Sequence, residues 1–327
     1  MLAFIEVPHK LRAFVECKEL CCLGNKMGNA NSGILGLLFV TVISLLATWM
    51  DALSLQLAKV VPWAQLHSLS HLAMALVCLC LFIAFRSKSS LKTSAPVMMV
   101  FRSLTAVGAL GFYYLALKTV SLTEFVTVNA MIPLVAGVVS TVTFQDRLGP
   151  WAWVAILLGC GSVIFGYWVT EHEIGVGFLY ALLGLVFSVL TMQAARYIQL
   201  REQATVSLVF YPALCVSLVP FFIAPEPMVP LEGSLMIVFV IYILLLIVVR
   251  LLTMYTLRQI SVVGFGLFLN LQFIWAILID VFYFLDRPEW YEVMIVVALV
   301  ASVSLYIFKN SKQIEDPSHG KASAASA

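Results

Sequence analysis

The feature that most constrains this chain is a series of apolar runs, each about as long as a bilayer is thick. A helix needs roughly 17–25 apolar residues to cross the hydrocarbon core. Charged residues make up 11% of the sequence, against about 25% in soluble domains, which argues against a soluble fold. The runs predict ten transmembrane helices, at 34–54, 66–85, 95–117, 122–144, 151–169, 174–194, 206–224, 234–256, 262–284 and 290–308.

The connections between these runs are short and carry turn residues, as in "RLGP" at 147–150 and "DRPEW" at 286–290. None could hold a soluble catalytic domain. We expect four segments: an N-terminal tail (1–32), five helices (33–169), five more helices (170–309) and a disordered C-terminal tail (310–327). The first tail lacks the apolar core and cleavage site of a signal peptide, and a translation start at either Met1 or Met27 stays open.

Basic residues predict the orientation of the chain. Fourteen of the nineteen lysines and arginines lie on the side shared by both tails and by the loops after predicted spans 2, 4, 6 and 8. The positive-inside rule therefore predicts cytoplasmic termini, in a plasma or inner membrane. The net charge of +2 reflects this topology, and we expect no nucleic-acid partner.

One phrase of 31 residues occurs twice without a gap: "LKTVSLTEFVTVNAMIPLVAGVVSTVTFQDR" at 117–147 and "LRQISVVGFGLFLNLQFIWAILIDVFYFLDR" at 257–287. It covers predicted span 4 and then predicted span 9. Because the two spans are five apart, they cross the membrane in opposite directions. This pattern is typical of inverted-topology repeats, whose site lies near the midplane where the halves meet. The sequence therefore predicts an all-α membrane protein of two inverted five-helix repeats that transports by alternating access.

The stretch 101–168, "FRSLTAVGALGFYYLALKTVSLTEFVTVNAMIPLVAGVVSTVTFQDRLGPWAWVAILLGCGSVIFGYW", resembles the first EamA-like repeat of the drug/metabolite transporter superfamily. The matching positions are Arg102, Ala116–Leu117, Pro133, Asp146–Arg147, Gly159, Gly161 and Gly166. The stretch 270–290 resembles the partner pattern of the second repeat, and 50–72 resembles the opening of many members. The likeness extends from about Gly33 to Lys309.

This resemblance implies a secondary transporter of a small polar metabolite, with amino acids, S-adenosylmethionine and nucleobase-like compounds among the family's substrates. Related branches carry nucleotide sugars or triose phosphates. The chain departs from the family pattern in having Asp146 and Asp286 where glutamate is common, and Phe273 where the first copy has Pro133. His67 and His71 lie near the place of a missing span-2 arginine, which affects what the cavity binds.

Ionisable residues inside spans usually face a cavity or a partner. Arg102 and Arg250 are candidate substrate ligands, because a guanidinium grips a carboxylate or phosphate with two hydrogen bonds. Two such arginines favour an anionic or zwitterionic substrate. The candidates for coupling or proton handling are Asp51, His67, His71 and Asp280. With no third ligand near the histidines, we expect no metal site.

Polar and aromatic side chains complete the predicted site, because an unpartnered amide in hydrocarbon is costly and should face a cavity or a helix. The candidates are Tyr113, Tyr114, Asn129, Gln193, Asn270, Gln272 and Trp275, the last through stacking on the ligand. Pro133 is expected to kink span 4. The glycines of span 5 suggest close packing or a homodimer contact.

Two alternatives remain at this point. An organelle antiporter of nucleotide sugars or sugar phosphates would need a eukaryotic source and more basic residues at the site. A multi-span transferase is weaker, because no tight cluster of His, Asp and Glu is visible. We expect no enzymatic activity and no cofactor, and no Walker-type G-x-x-x-x-G-K-[ST] occurs. The cysteines form no zinc framework, although lipidation of Cys17, Cys21 and Cys22 stays open.

Overall fold

A computed structural model describes residues 29–85, 91, 93–120, 125, 128–143, 148–169, 175–201, 205–223, 227–279 and 289–315. Within these ranges the regular structure is α-helical, without a strand. The helices are α1 (Asn29–Ala58), α2 (Trp63–Phe85), α3 (Pro96–Leu117), α4 (Ile132–Thr143), α5 (Pro150–Val169), α6 (Val176–Arg201), α7 (Thr205–Ile223), α8 (Ser234–Thr256), α9 (Val262–Leu269), α10 (Gln272–Ile279) and α11 (Trp290–Glu315). Asp280, the two Asp–Arg turns and most of both tails lie outside the described residues.

Six helices are long and apolar enough to cross a membrane: α1, α2, α3, α6, α7 and α8. The predicted spans 4, 5, 9 and 10 correspond to shorter apolar helices. Helix α1 begins at Asn29 and α11 ends at Glu315, so both extend past the predicted tail boundaries. This is the helical composition of an integral membrane protein.

The surface of the bundle is apolar and much of its polar content is inside. Val97, Val142 and Phe222 are 82%, 79% and 84% exposed. Arg102 and Gln272 are 4% and 5% exposed. In water this distribution would be unstable, whereas in a lipid bilayer apolar side chains face hydrocarbon and polar groups find partners inside.

The predicted spans 4 and 9 are interrupted at equivalent positions. Helical residues Val128 and Asn129 are followed by a turn at Ala130–Met131, and α4 begins at Ile132. In the same way α9 ends at Leu269, the turn is Asn270–Leu271, and α10 begins at Gln272. Each of these positions in the second copy lies 140 residues after its equivalent in the first.

The backbone hydrogen bonds at the two breaks are also equivalent. The amide of Met131 donates to the carbonyl of Val128 at 3.0 Å, and that of Leu271 donates to Phe268 at 3.1 Å. These are tight i→i+3 bonds of the kind that end a helix. The repeat seen in the sequence therefore persists as a repeated interruption of the backbone.

The two breaks touch each other at the centre of the bundle. The Nδ2 group of Asn270 donates to the Ala130 carbonyl at 3.1 Å, and the thiol of Cys160 donates to the same carbonyl at 3.3 Å. A carbonyl freed by a helix break thus receives partners inside the apolar bundle, where an unpartnered one would be costly.

Pro133 does not kink a continuous helix, as the sequence suggested, because the helix is interrupted before it. It is the second residue of α4, where a missing N–H has no helical partner to lose. Phe273 is the second residue of α10, and its span breaks at the equivalent place without a proline. The proline is therefore not the sole cause of the interruption.

The helices of the first half pack against those of the second. The pairs are α1 with α8, α2 with α7, α3 with α6, α4 with α9, and α5 with α11. If each helix is replaced by its counterpart in the other half, this set of pairs is unchanged. The breaks and the cavities described below lie where the halves meet.

Gly266 marks the closest approach of α9 to α4. A Cβ added there would lie 2.9 Å from Cγ2 of Ile132 and 3.1 Å from the backbone nitrogen of Pro133. Gly161 in α5 has no heavy atom within 4 Å of such a Cβ. The two glycines are therefore a matched pair, one at the crossing and one in open space.

We expect Gly266→Ala to destabilise the protein by about 1–3 kcal/mol, because backbone atoms cannot give way to the added methyl group. Gly161→Ala adds the same group and the same helix propensity without a clash, so it should not lower stability. The measurement is the midpoint of thermal unfolding in detergent. Equal losses in both variants would show that the crossing is not tightly packed.

Candidate functional site

Two adjoining cavities lie inside the bundle. The Asp51 chamber is lined by residues of α1, α2, α3, α6 and α8 and of both interrupted spans. The Arg102 chamber is lined by residues of α2, α3, α6, α7 and α8. The two chambers share a wall, formed by Leu110, Tyr113, Ser188, Met192, Arg250 and Thr253.

Helical periodicity explains which side chains reach the chambers. On α8, Tyr242, Leu246, Val249, Arg250 and Thr253 all line the Asp51 chamber. Steps of three and four residues place such side chains on one face of a helix. Buried hydrophobic residues of this face pack against the bundle, while Val240, Ile241 and Val248 on the other side are exposed.

The chambers are related by the same shift of 140 residues as the repeated phrase. Six positions of the Arg102 chamber correspond in this way to positions that line the Asp51 chamber. The pairs are Arg102 and Tyr242, Ala106 and Leu246, Ala109 and Val249, Leu110 and Arg250, Tyr113 and Thr253, and Thr191 and Asp51. Equivalent positions thus carry different chemistry, with a cation in one chamber where the other has a phenol.

Arg250 is the central charged group of the shared wall. Within the described part of the chain, its guanidinium forms no hydrogen bond and no ion pair. Asp51, Tyr113 and Tyr242 interact with it electrostatically from across the cavity. Because a charge inside an apolar bundle is costly without a partner, Arg250 is placed to receive a ligand.

Asp51 is the acidic side chain of its chamber and lies on α1. Its Oδ2 atom accepts a hydrogen bond of 3.3 Å from Nε2 of Gln272, the first residue of α10. The contact joins a helix of the first half to the broken span of the second. Tyr242 and Ser54 form a further hydrogen bond between α8 and α1.

Arg102 is held by a carbonyl that a proline leaves free. Its Nη1 group donates to the carbonyl of Leu208 on α7, and its Nη2 group lies 3.2 Å from the sulfur of Met254. Leu208 precedes Pro212 by four residues, and Pro212 has no N–H with which to satisfy that carbonyl. The Nε group of Arg102 is buried without a hydrogen-bond partner.

Tyr113 links α3 to the interrupted span 4. Its hydroxyl donates to Oδ1 of Asn129 at 2.8 Å and also bonds with Ser188 on α6. Tyr114 faces the Asp51 chamber and donates to the carbonyl of Val61 at 3.0 Å. These bonds orient the phenol groups in the walls.

The two histidines of α2 divide between the chambers. His67 lines the Asp51 chamber and His71 the Arg102 chamber, with ring centroids 5.8 Å apart. Nδ1 of His71 donates to the carbonyl of His67 at 2.9 Å, because a carbonyl can only accept. No group of three or more metal-ligating side chains occurs among the described residues.

Nine predicted site residues line the chambers: Asp51, His67, His71, Arg102, Tyr113, Tyr114, Asn129, Arg250 and Gln272. Three others form helix contacts outside both. Gln193 donates to the Ala136 carbonyl and to Ser140, Asn270 to the Ala130 carbonyl, and the indole of Trp275 to Ser44 at 2.9 Å. Asp280 lies outside the described residues.

The sequence analysis missed several lining residues, above all Tyr242, Ser188 and Thr191. Tyr242 could have been found in two ways. It lies two helical turns before Arg250 on the same face, and it is the position equivalent to Arg102 when the shift of 140 residues is extended beyond the repeated phrase. Thr191 is likewise equivalent to Asp51.

No protein-family model matches the chain, and no curated protein matches it. Among solved structures, 28 chains match. One of them, a crystal structure described only as that of a protein, is 20% identical and has a TM-score of 0.66. The match covers 84% of this chain and 98% of the other. This likeness shows the fold alone.

Side chains of α6 hold the end of α8, the helix that carries Arg250. Arg196 donates to the carbonyls of Leu257 and Ile260, and Gln199 donates to the carbonyl of Met254 at 2.7 Å. The last carbonyls of a helix have no partner within it, and cations near a C-terminus are favourable. We call Arg196 and Gln199 the α8 clamp.

We expect Arg196→Ala to lower stability by about 1.5–3 kcal/mol, since the part-buried carbonyls would lose a charged donor. The matched control is Arg201→Ala on the same helix, where the exposed guanidinium lies 4.2 Å from the Tyr197 ring. That contact contributes about 0.5–1 kcal/mol at most. Thermal unfolding in detergent measures both. A larger loss in the Arg201 variant would contradict the clamp.

Proposed function

We propose that this protein is a secondary active transporter that moves a small polar metabolite across a membrane by alternating access. The observation that carries the proposal is Arg250, a cation without an ion pair among the described residues, in a wall shared by chambers from both halves. A scaffold would gain nothing from an unpaired charge at this place, because burying it costs stability. A substrate would supply the missing partner.

Two inverted repeats give the proposed alternating access. Support comes from the breaks 140 residues apart, the helix pairs that are unchanged on exchange of the halves, and the equivalent positions of the two chambers. Two halves that are equivalent but inserted in opposite directions can exchange their conformations, which opens the same site first to one side and then to the other.

The proposed family is the EamA-like branch of the drug/metabolite transporter superfamily. Its support is the motif resemblance of residues 101–168 and 270–290, together with an all-helical fold whose spans are interrupted inside that resemblance. We further propose a plasma or inner membrane with both termini cytoplasmic, from the distribution of basic residues. An extracellular C-terminal reporter fusion would overturn the inverted topology.

The second candidate is an organelle antiporter of nucleotide sugars or sugar phosphates. The pair of arginines at the chambers favours it, because guanidinium groups bind phosphate with two hydrogen bonds. Such an antiporter would require a counter-substrate inside the vesicle, whereas the first candidate would not. A membrane transferase is weaker still and would return a chemically altered substrate.

A thermal-shift screen identifies the ligand class before transport is measured. Amino acids, S-adenosylmethionine, nucleobases, nucleotide sugars and sugar phosphates are each added to the detergent-purified chain. A ligand at 100 times its dissociation constant stabilises the folded state by about 2.7 kcal/mol. The ligand that shifts the midpoint most is then used in liposomes.

We expect Arg250→Gln to reduce uptake of that ligand into liposomes by at least about tenfold, since a lost charged hydrogen bond is worth about 1.5–3 kcal/mol. Arg201→Gln removes the same charge from an exposed position and should leave uptake unchanged. Unfolding midpoints verify that both variants are folded. Uptake by Arg250→Gln equal to that of the unaltered chain would remove the observation on which the proposal stands.

A further inference from the structure

We infer that the Arg102 chamber is the oxyanion subsite of the transport site, where a carboxylate or phosphate group of the substrate binds between the guanidinium groups of Arg102 and Arg250. The inference rests on the proposed function, because the bound group is part of the transported metabolite. It goes further in assigning the acidic end of the substrate to one of two equivalent chambers.

The charge of the chamber is the first argument. Arg102 and Arg250 both line it, and no aspartate or glutamate is among the described residues that do so. The two cations repel each other across a cavity of low dielectric constant, where charges interact more strongly than in water. An anion between them would reverse this repulsion into two attractions.

The free donors of Arg102 are the second argument. Its side chain is 4% exposed and its Nε group has no hydrogen-bond partner. A guanidinium carries five N–H donors in a plane, and the Leu208 carbonyl and the Met254 sulfur do not occupy all of them. A planar oxyanion is the acceptor that fits the remaining fork.

The position of Arg102 is also prepared in advance. The carbonyl of Leu208 is available to Arg102 because Pro212, four residues later on α7, cannot donate to it. Pro212 itself lines the chamber. The backbone therefore anchors one edge of the guanidinium and leaves the rest of it for a ligand.

Comparison with the equivalent chamber supports the assignment. At the positions of Arg102 and Thr191, the Asp51 chamber has Tyr242 and Asp51. An acidic group would be repelled by the Asp51 carboxylate, whereas the Arg102 chamber offers hydroxyl groups of Ser188, Thr191 and Thr253. The two chambers thus discriminate between the ends of a polar molecule.

The test measures binding of simple oxyanions to the full chain in detergent. Inorganic phosphate and acetate are titrated at constant ionic strength, with acetamide as the neutral analogue of acetate, and the unfolding midpoint is followed. We expect an oxyanion to raise the midpoint and acetamide to leave it unchanged. A stronger response to phosphate than to acetate, or the reverse, tells which acidic group the substrate carries.

Arg102→Gln and Arg250→Gln should each weaken oxyanion binding by about 10- to 100-fold, and Arg201→Gln should not. The measured quantity is the difference caused by the anion, so a change in basal stability from the lost Leu208 contact does not enter it. Oxyanion binding that survives both substitutions, or a midpoint raised equally by acetamide, would overturn the inference.

A second pair of variants keeps every charged side chain. Pro212→Ala gives the Leu208 carbonyl a backbone donor, which should release Arg102 and weaken oxyanion binding by at least about threefold, a smaller loss than removal of a charged partner. Pro220→Ala restores a donor on the same helix outside the chamber and should have no such effect. Unchanged binding in Pro212→Ala would show that the freed carbonyl does not position Arg102.

Binding and transport fail separately. Oxyanion binding that depends on both arginines, with no uptake of any ligand by liposomes, would keep the subsite and refute the proposed transport. Uptake that is indifferent to Arg102→Gln, in a chain that binds no oxyanion, would keep the transporter and refute the subsite.

Discussion

The bundle depends on the contact between two helix breaks inside an apolar core. A helix that stops within a membrane leaves carbonyl and amide groups unpaired, and hydrocarbon offers them nothing. Here the Ala130 carbonyl at the first break accepts from Asn270 at the second, and from Cys160 on α5. Because each break supplies a partner for the other, neither could be tolerated alone in this position, and the two halves must meet there.

The chambers follow from this crossing. Interrupted helices bring Asn129, Leu269 and Gln272 to the wall of the Asp51 chamber, beside α1 and α8. Polar side chains of the long helices then find partners across the interface between halves, as Asp51 does with Gln272. The exception is Arg250, which stays without an ion pair within the described residues. An incomplete charge in an otherwise satisfied interior is the physical basis of the proposed binding site.

Sequence patterns predicted the helical membrane fold and much of the candidate site. The apolar runs located six helices that can span a membrane, and nine of the proposed site residues line the chambers. The predictions were weaker where a polar residue has two ways to be satisfied. Gln193, Asn270 and Trp275 were grouped with the ligand candidates, yet they bond to neighbouring helices. A polar residue in an apolar helix must find a partner, but its sequence context does not say whether that partner is a ligand or another helix.

What the sequence determined by itself is the set of apolar segments, their lengths and the repeat of 140 residues, because length and periodicity are local properties of the chain. Only the tertiary structure decided that the spans break before Pro133 and Phe273, that Pro212 frees the Leu208 carbonyl for Arg102, and that equivalent positions form two chambers of different charge. These features depend on contacts between residues more than a hundred positions apart, such as Arg102 and Leu208. Their energies come from the shared environment and not from either segment alone.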